Sequence, residues 1–324
     1  MAGLVSVERV SDAARSLSGV VLRTPLRRSA ALSKIVGAEC WLKLECSQHT
    51  GSFKLRGAFN ALARIPKPMR ARGVVASSAG NHGLGVARAA RELGIPATIF
   101  VPSTAPAVKR DGIARLGATV DSSYPDYDAA MAAATEHASR SGALFVNPCA
   151  GEDLLAGQGT VAIEILDDLP ALGSVVVPVG GGGLVGGMAS YLRGAAPAVR
   201  ILGAQSERTD AMARSLAAGH VVDIGHEPTL AEGLAGAIDE EGLAIGRVAL
   251  DDIAVVSEAA IASAIAWLNS KEGLTVEGSG AVGVAALLGG ALGSVTGPVA
   301  VVISGGNIDP ARHAEIVADE GSKR

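Results

Sequence analysis

Short, almost wholly apolar runs recur along the chain at residues 39–44, 73–77, 97–101, 174–179, 199–204, 253–256 and 299–303. Runs of this length with no polar alternation predict strands covered on both faces. Between them lie alanine-rich stretches at 83–93, 107–116, 127–141, 211–218 and 258–272, each followed by glycine, as helices that end in a left-handed cap are. The resulting strand–helix rhythm predicts an α/β fold with parallel sheets clad in helices. A Pro/Gly turn at 147–152 is the candidate boundary between two such series, and no internal repeat is present.

One further helix carries an unusual residue. Wound at 3.6 residues per turn, 53–64 places Arg56, Asn60 and Arg64 on one side, which is predicted to be the wet one. Lys54 lies well round from them, among Gly57, Ala58 and Ala61 and beside Leu55, Phe59 and Leu62. Two readings stand. The stem of Lys54 lies along the core edge while its head reaches water, or burial disfavours the charged form and leaves a nucleophilic amine able to form a Schiff base.

Two uncharged stretches, 171–192 and 278–308, exceed the roughly 20 residues that a membrane helix needs. Glycines interrupt both, so the first is read as strand, turn and helix and the second as helix, turn and strand. With 324 residues the chain has ample core for one large unit or two ordinary ones. A net charge of -4 and 3% aromatics supply neither the basic field nor the stacking groups of a nucleic-acid binder, so a small-molecule protein is expected. Cys40, Cys46 and Cys149 form no CxxC, and the six histidines, His226 among them, show no metal-ligand spacing, so no zinc site and a reducing cytoplasm are expected. Glu8 and Arg9 interrupt what a secretory leader would need as an apolar core.

In open parallel sheets ligands bind beyond the carboxyl ends of strands, so strand-to-helix loops are the places to read. PVGGGGLVGG, 178–187, runs from a strand through four glycines into a helix, where bare amides and a helix N-terminus can cradle a phosphate. Gly181, Gly183 and Gly186 also satisfy GxGxxG, but the next strand ends in Gln205 where a dinucleotide ribose would want a carboxylate. ASSAGNHG, 76–83, offers Ser78, Gly80 and Asn81 at a second such turn, suited to a carboxylate and, through the Asn81 amide, a phenolic oxygen. VAVVISGGN, 299–307, ends an apolar strand on Ser304, whose neutral hydroxyl can bond a ring nitrogen without charging it. Each loop alone is also explained as close packing, a helix cap or a chain-reversing turn. Together with Lys54 they match one ligand, pyridoxal 5'-phosphate, which needs an amine, a phosphate cradle, a ring-oxygen donor and a ring-nitrogen partner.

TGSFKLRGA, SSAGNHG, AGQGT, GGGGL and SGGN, in this order over nearly the whole chain, resemble the fold-type II pyridoxal-phosphate enzymes of the threonine and serine dehydratase group. The resemblance implies two open, twisted, mostly parallel sheets of the tryptophan synthase β-like kind, with 1–48 and 149–324 forming a large cofactor domain and 49–148 a small substrate-side domain. It implies that Lys54 holds the cofactor as a Schiff base, with Phe53 against its ring. Gly180, Gly181, Gly182, Gly183 and Leu184 would bind the phosphate, Asn81 the ring oxygen and Ser304 the ring nitrogen, with Glu277 near the ring. Ser78, Ala79, Gly80, His82 and Gln158 would face the substrate. The implied reaction is ammonia loss from a β-hydroxy amino acid in a cytoplasmic homodimer or homotetramer, with Lys54 as the base.

Several positions depart from the group. Ala79 stands where serine racemases of the family carry a second serine, so racemisation is not expected, and Gln205 and Ala211 fall on their cation ligands, so no metal is expected. Asn147, Pro148 and Cys149 replace a His-Pro-Phe, which leaves 3-hydroxyaspartate or another hydroxylated amino acid open beside threonine and serine. Only residues 308–324 follow Asn307, so a catabolic or specialised role without a regulatory domain is expected. A racemase-like enzyme, a non-catalytic small-molecule binder and a GxGxxG-based NAD oxidoreductase remain as alternatives.

Overall fold

A computed structural model describes residues 3–225, 227–293 and 295–322, so His226 lies outside the described residues. Ten strands, β1 (Leu26–Arg28), β2 (Cys40–Lys43), β3 (Val74–Ser77), β4 (Ala97–Pro102), β5 (Thr119–Tyr124), β6 (Leu144–Phe145), β7 (Ser174–Pro178), β8 (Arg200–Ser206), β9 (Asp252–Val256) and β10 (Val299–Val302), form two sheets. A six-stranded sheet has the order β1-β2-β10-β7-β8-β9, and a four-stranded sheet the order β5-β4-β3-β6. Every neighbouring pair is parallel except β1 with β2.

Most of the apolar runs are buried on both faces for the predicted reason; the run 253–256 is the exception, because it lies in the edge strand β9 with Val255 40% exposed. In β7, Val176 points into a core shared with the helices Glu258–Glu272 and Gly278–Leu288. Its neighbours Val175 and Val177 point the other way, against the helices Glu152–Asp168 and Gly183–Ala195. The four-stranded sheet repeats this, with Val74 and Ala76 under the helices Lys54–Ala63 and Asn81–Leu93, and Val75 and Phe100 facing Tyr127–Ser141. Both membrane-like stretches resolve into a strand and a helix joined by a turn, and among the described residues no helix is long and apolar enough to cross a membrane.

One expectation fails. The side of the helix Lys54–Ala63 that carries Arg56 and Asn60 is not wet, since both residues are 0% exposed and only Arg64 reaches solvent. The helix Glu152–Asp168 covers that side, and protein groups rather than water meet the Arg56 guanidinium and the Asn60 NH₂, while Asn60 Oδ1 is buried without a partner. The Asn60 amide donates to the Asp153 carbonyl at 2.7 Å, and the Arg56 guanidinium is surrounded by the Glu45 and Glu164 carboxylates at 2.7–2.9 Å.

Candidate active site

Strand order brings the chemistry together. β2, β10 and β7 are neighbours and parallel, so their carboxyl ends open on the same edge. Those ends lead to Lys54, to Ser304 and to the Gly180–Gly183 turn respectively. From the four-stranded sheet, the end of β3 delivers residues 78–82. This is the edge at which open parallel sheets hold ligands.

The Lys54 segment is tied directly to the loop after β10. Ser52 bridges Gly305, the Phe53 N–H donates to the Ser304 carbonyl at 3.2 Å, and the Gly306 N–H donates to the Gly51 carbonyl at 2.9 Å. Lys54 thus starts its helix from a fixed point. Its ammonium donates to the Pro148 carbonyl at 2.8 Å and lies 5.3 Å from the Phe53 ring centroid. It is half-buried, not free at the surface.

The glycine turn follows β7 and starts the helix Gly183–Ala195, with Gly182 in the left-handed region at φ +96°. Side chains are excluded at two of its positions. A Cβ on Gly181 would sit 2.9 Å from Cys149 Sγ, and one on Gly183 would sit 2.9 Å from the Cys149 carbonyl oxygen. Residues 148 and 149 therefore touch both Lys54 and the glycine turn. Ser304, 3% exposed, makes only a 3.5 Å contact to the Ser279 carbonyl, which leaves its hydroxyl free for a closer partner.

At the end of β3 the Gly80 N–H donates to Ser78 Oγ at 3.2 Å, and Asn81 and His82 open the next helix. The His82 ring lies 2.9 Å from the Val146 carbonyl through Nε2, while its Nδ1 is buried without a partner. Burial, with the Lys54 charge adding to it, pushes the His82 imidazole down to about 3, so the ring is neutral and Nε2 carries the proton given to Val146. Asn81 donates through Nδ2 to Glu277 at 2.7 Å. Burial pushes the Glu277 carboxyl up to about 7, against the stabilising bond from Asn81.

Not all sequence-predicted residues converge. Gln158 is fully buried between helices, where its Oε1 accepts from the Gly57 N–H at 3.3 Å and its Nε2 has no partner. Ala79 packs at the edge of the core under the four-stranded sheet. A cleft of ≈ 500 Å³ reaches Glu277, Ser279 and Asn307 from solvent, with the Lys109–Glu232 ion pair, 2.9 Å, at its lining; Lys54 and the glycine turn lie outside that lining. Asn307 and Pro148 appear in the sequence reading only as the end of SGGN and as part of the altered 147–149 segment, and their roles as partners of Asn81 and Lys54 are not legible there. The first closes the SGGN segment, whose visible signal is its serine, and the second acts through a backbone carbonyl, which carries no side-chain signal.

Where a cation site was considered, Gln205 spends its amide on the backbone. Nε2 donates to the Val179 and Thr209 carbonyls at 3.1 and 2.8 Å, and Oε1 accepts from the Ala213 N–H at 2.9 Å. Ala211 contributes a buried methyl. Among the described residues no group of three or more His, Cys, Asp or Glu is arranged to hold a metal.

Known proteins resemble this chain in sequence and in fold. An L-threonine ammonia-lyase of Thermotoga maritima is 43% identical over 94% of this chain and 76% of its own length. The structure of maize serine racemase superposes with a TM-score of 0.91 at 30% identity, covering 98% of both chains. The processed form of threonine deaminase isoform 2 from Solanum lycopersicum gives a TM-score of 0.91 at 30% identity over 98% of this chain and 88% of that one. Residues 17–305 match the family described as pyridoxal-phosphate dependent enzymes, and the chain belongs to that family.

Proposed function

We propose that this chain removes ammonia from a β-hydroxy amino acid, threonine or serine, to give a 2-keto acid. The observation that carries the reading is the placement of Lys54 Nζ, held 2.8 Å from the Pro148 carbonyl at the edge shared with the glycine turn and Ser304. The residues present fit pyridoxal 5'-phosphate. Gly180, Gly181, Gly182, Gly183 and Leu184 present a turn whose positions 181 and 183 leave no space for a side chain and a helix N-terminus for the phosphate. Ser304 offers a nearly unpartnered hydroxyl to the ring nitrogen, Asn81 an amide to the ring oxygen, and Phe53 an apolar face.

When bound, the cofactor supplies an aldehyde that captures amines and a ring that takes up electron density from the α-carbon. The protein supplies the rest. Lys54 holds the cofactor in the resting enzyme and, once the substrate amine displaces it, accepts the α-proton at Nζ. Ser78, Gly80 and the first turn of the helix Asn81–Leu93 hold the substrate carboxylate. Neutral His82 adds no charge that would compete with Lys54 for it. The β-hydroxyl leaves with a proton as water, one water then adds back, and one keto acid and one ammonia result. Ser304 leaves the ring nitrogen uncharged, which restrains charge spreading and favours elimination over transamination.

The test is a panel of threonine, serine and 3-hydroxyaspartate assayed for ammonia and keto acid together. Threonine or serine is expected to give both in equal amounts, and no product from any member would overturn the reading. The relatives' names raise racemisation as a second outcome. Ala79 has no proton to deliver to the opposite face of the substrate, so chiral analysis is expected to find no D-serine formed from L-serine. Because the Gln205 amide already bonds the carbonyls that a cation would otherwise organise, chelation with EDTA is expected to leave ammonia release within about twofold of the untreated rate. A large loss restored by magnesium would contradict that.

A further inference from the structure

We propose that Asn307 is a positioning residue that fixes which way round the Asn81 amide sits, so that its NH₂ and not its carbonyl is turned toward Glu277 and the cofactor. The inference rests on the reading of Asn81 as the donor to the ring oxygen.

The hydrogen bonds run outward from the Asn307 NH₂, to Thr50 on one side and through Asn81 to Glu277 on the other. Asn307 Nδ2 donates to the Thr50 carbonyl at 2.8 Å and to Asn81 Oδ1 at 2.6 Å, and Asn81 Nδ2 donates to Glu277 Oε1 at 2.7 Å. Both ends of this relay are acceptors. Thr50 offers a backbone carbonyl, which can only accept, so the Asn307 NH₂ must face it. With that amide set, Asn81 can meet Asn307 only through its oxygen, and its NH₂ is left for the Glu277 carboxylate. The relay also joins the two sheets, since Asn81 follows β3 while Asn307 and Glu277 belong to segments packed on the six-stranded sheet.

The surroundings are shaped around these side chains. A Cβ on Gly51 would lie 2.3 Å from Asn307 Oδ1, and one on Gly305 would lie 2.2 Å from Glu277 Oε1. Both glycines thus leave the space that these side-chain oxygens occupy, and a side chain at either position would displace them. The backbone N–H of Asn307 supports the Glu277 carboxylate; Lys109 and Glu232 act on it across the cleft, whose lining also carries Arg208, Glu258, Asp309 and Arg312, and the Cys46 thiol lies close enough to feel its charge.

Asn307→Asp makes the decisive variant, because a carboxylate there can only accept. Asn81 must then turn its NH₂ to position 307 and present its carbonyl to Glu277, which can meet it only as the protonated acid. In the full-length holoenzyme, the Glu277 carboxyl is followed by carbon-13 NMR against pH, with Glu277→Gln identifying the signal. Alongside it, the ratio of the cofactor's two near-ultraviolet and visible absorption bands is recorded. N307D is expected to raise the Glu277 midpoint by about one pH unit, a tenfold gain in proton affinity, and to change the band ratio at neutral pH. N307A, which frees the Asn81 amide without reversing it, is expected to move both in the same direction by less. In the double variant E277Q/N307D, the side-chain amide introduced at position 277 can donate to the turned carbonyl. The urea midpoint of that double variant is therefore expected to lie above the value that adding the single effects gives.

A Glu277 midpoint unchanged in both N307D and N307A overturns the proposal, as does additive behaviour of the double variant. Should N307D fail to fold, N307A alone decides. A wild-type protein that takes up no cofactor would count against the proposed function, while the carboxyl titration would still test the relay.

Discussion

Lys54→Ala is expected to yield a folded protein that no longer attaches the cofactor covalently and releases ammonia at least about 10³-fold more slowly than wild type. The side chain is half-buried and its ammonium has a single hydrogen-bond acceptor, the Pro148 carbonyl, so its truncation leaves a backbone carbonyl beside the glycine turn rather than a buried unpaired charge. The helix start itself is held by backbone bonds from Gly51 and Phe53 to the loop after β10, which the substitution leaves intact. Fold and chemistry therefore separate at this residue. Borohydride reduction followed by peptide mass spectrometry should place the cofactor mass on Lys54 in wild type and on no lysine in the variant. A cofactor adduct on Lys43, Lys109 or any other lysine of K54A, or ammonia release within tenfold of wild type, would remove the central assignment. Added small primary amines are expected to restore part of the rate, since what is lost is an amine base and not a shape.

What the sequence makes legible follows from how local each signal is. Loops such as 178–187 and 299–307 announce themselves because glycine clusters at the end of an apolar run have few other uses, and strand order then sets them side by side. Signals that depend on distant partners do not announce themselves. Helix Glu152–Asp168 is buried along most of its length, so it shows no amphipathic period to read. β5, with the polar sequence TVDSSY, is a half-buried edge strand and lacks the apolar run used to find the others. The assumption that the polar side of a helix faces water fails at Arg56 because its partner Glu164 is 108 residues away in the chain. Gln158 belongs to the same interface: the AGQGT resemblance implies a substrate contact for it, and in the fold its Oε1 accepts from the Gly57 N–H.

That buried interface carries the second large effect. Arg56, Lys43 and Glu45 are all 0% exposed, and Glu164 is nearly so, making a group of two cations and two carboxylates beneath the lysine helix. Thr24 and Thr160 hydroxyls and the Leu22 and Thr24 carbonyls fill its remaining hydrogen bonds. Burial works against the charges of Lys43, Glu45 and Arg56. It lowers the Lys43 ammonium, but Glu45 and Glu164 together hold the Arg56 guanidinium above its ordinary range, and Arg56 holds Glu45 below that of a carboxylate. Arg56→Met removes one cation and leaves two carboxylates to a single lysine, so a loss of about 3–5 kcal/mol in urea unfolding is expected. Arg56→Lys keeps the charge but not the fork that spans both carboxylates, and should recover only part. Because Glu45 is held depressed by Arg56, the stability it adds is present above its ordinary pKa of 4.5 and fades as the pH falls through that value and below; R56M should flatten this acid limb. Combining R56M with Glu164→Leu restores charge balance between Lys43 and Glu45, so the double variant is expected to be more stable than R56M alone. If the two losses simply add, the network is not the unit that these distances describe. Arg56 stands two residues beyond Lys54 and grips Glu45 just after β2, so loosening it also loosens the amine against the strand end that carries it. R56K is accordingly expected to lower kcat more than it raises KM, a split that a loss of folded enzyme alone would not produce.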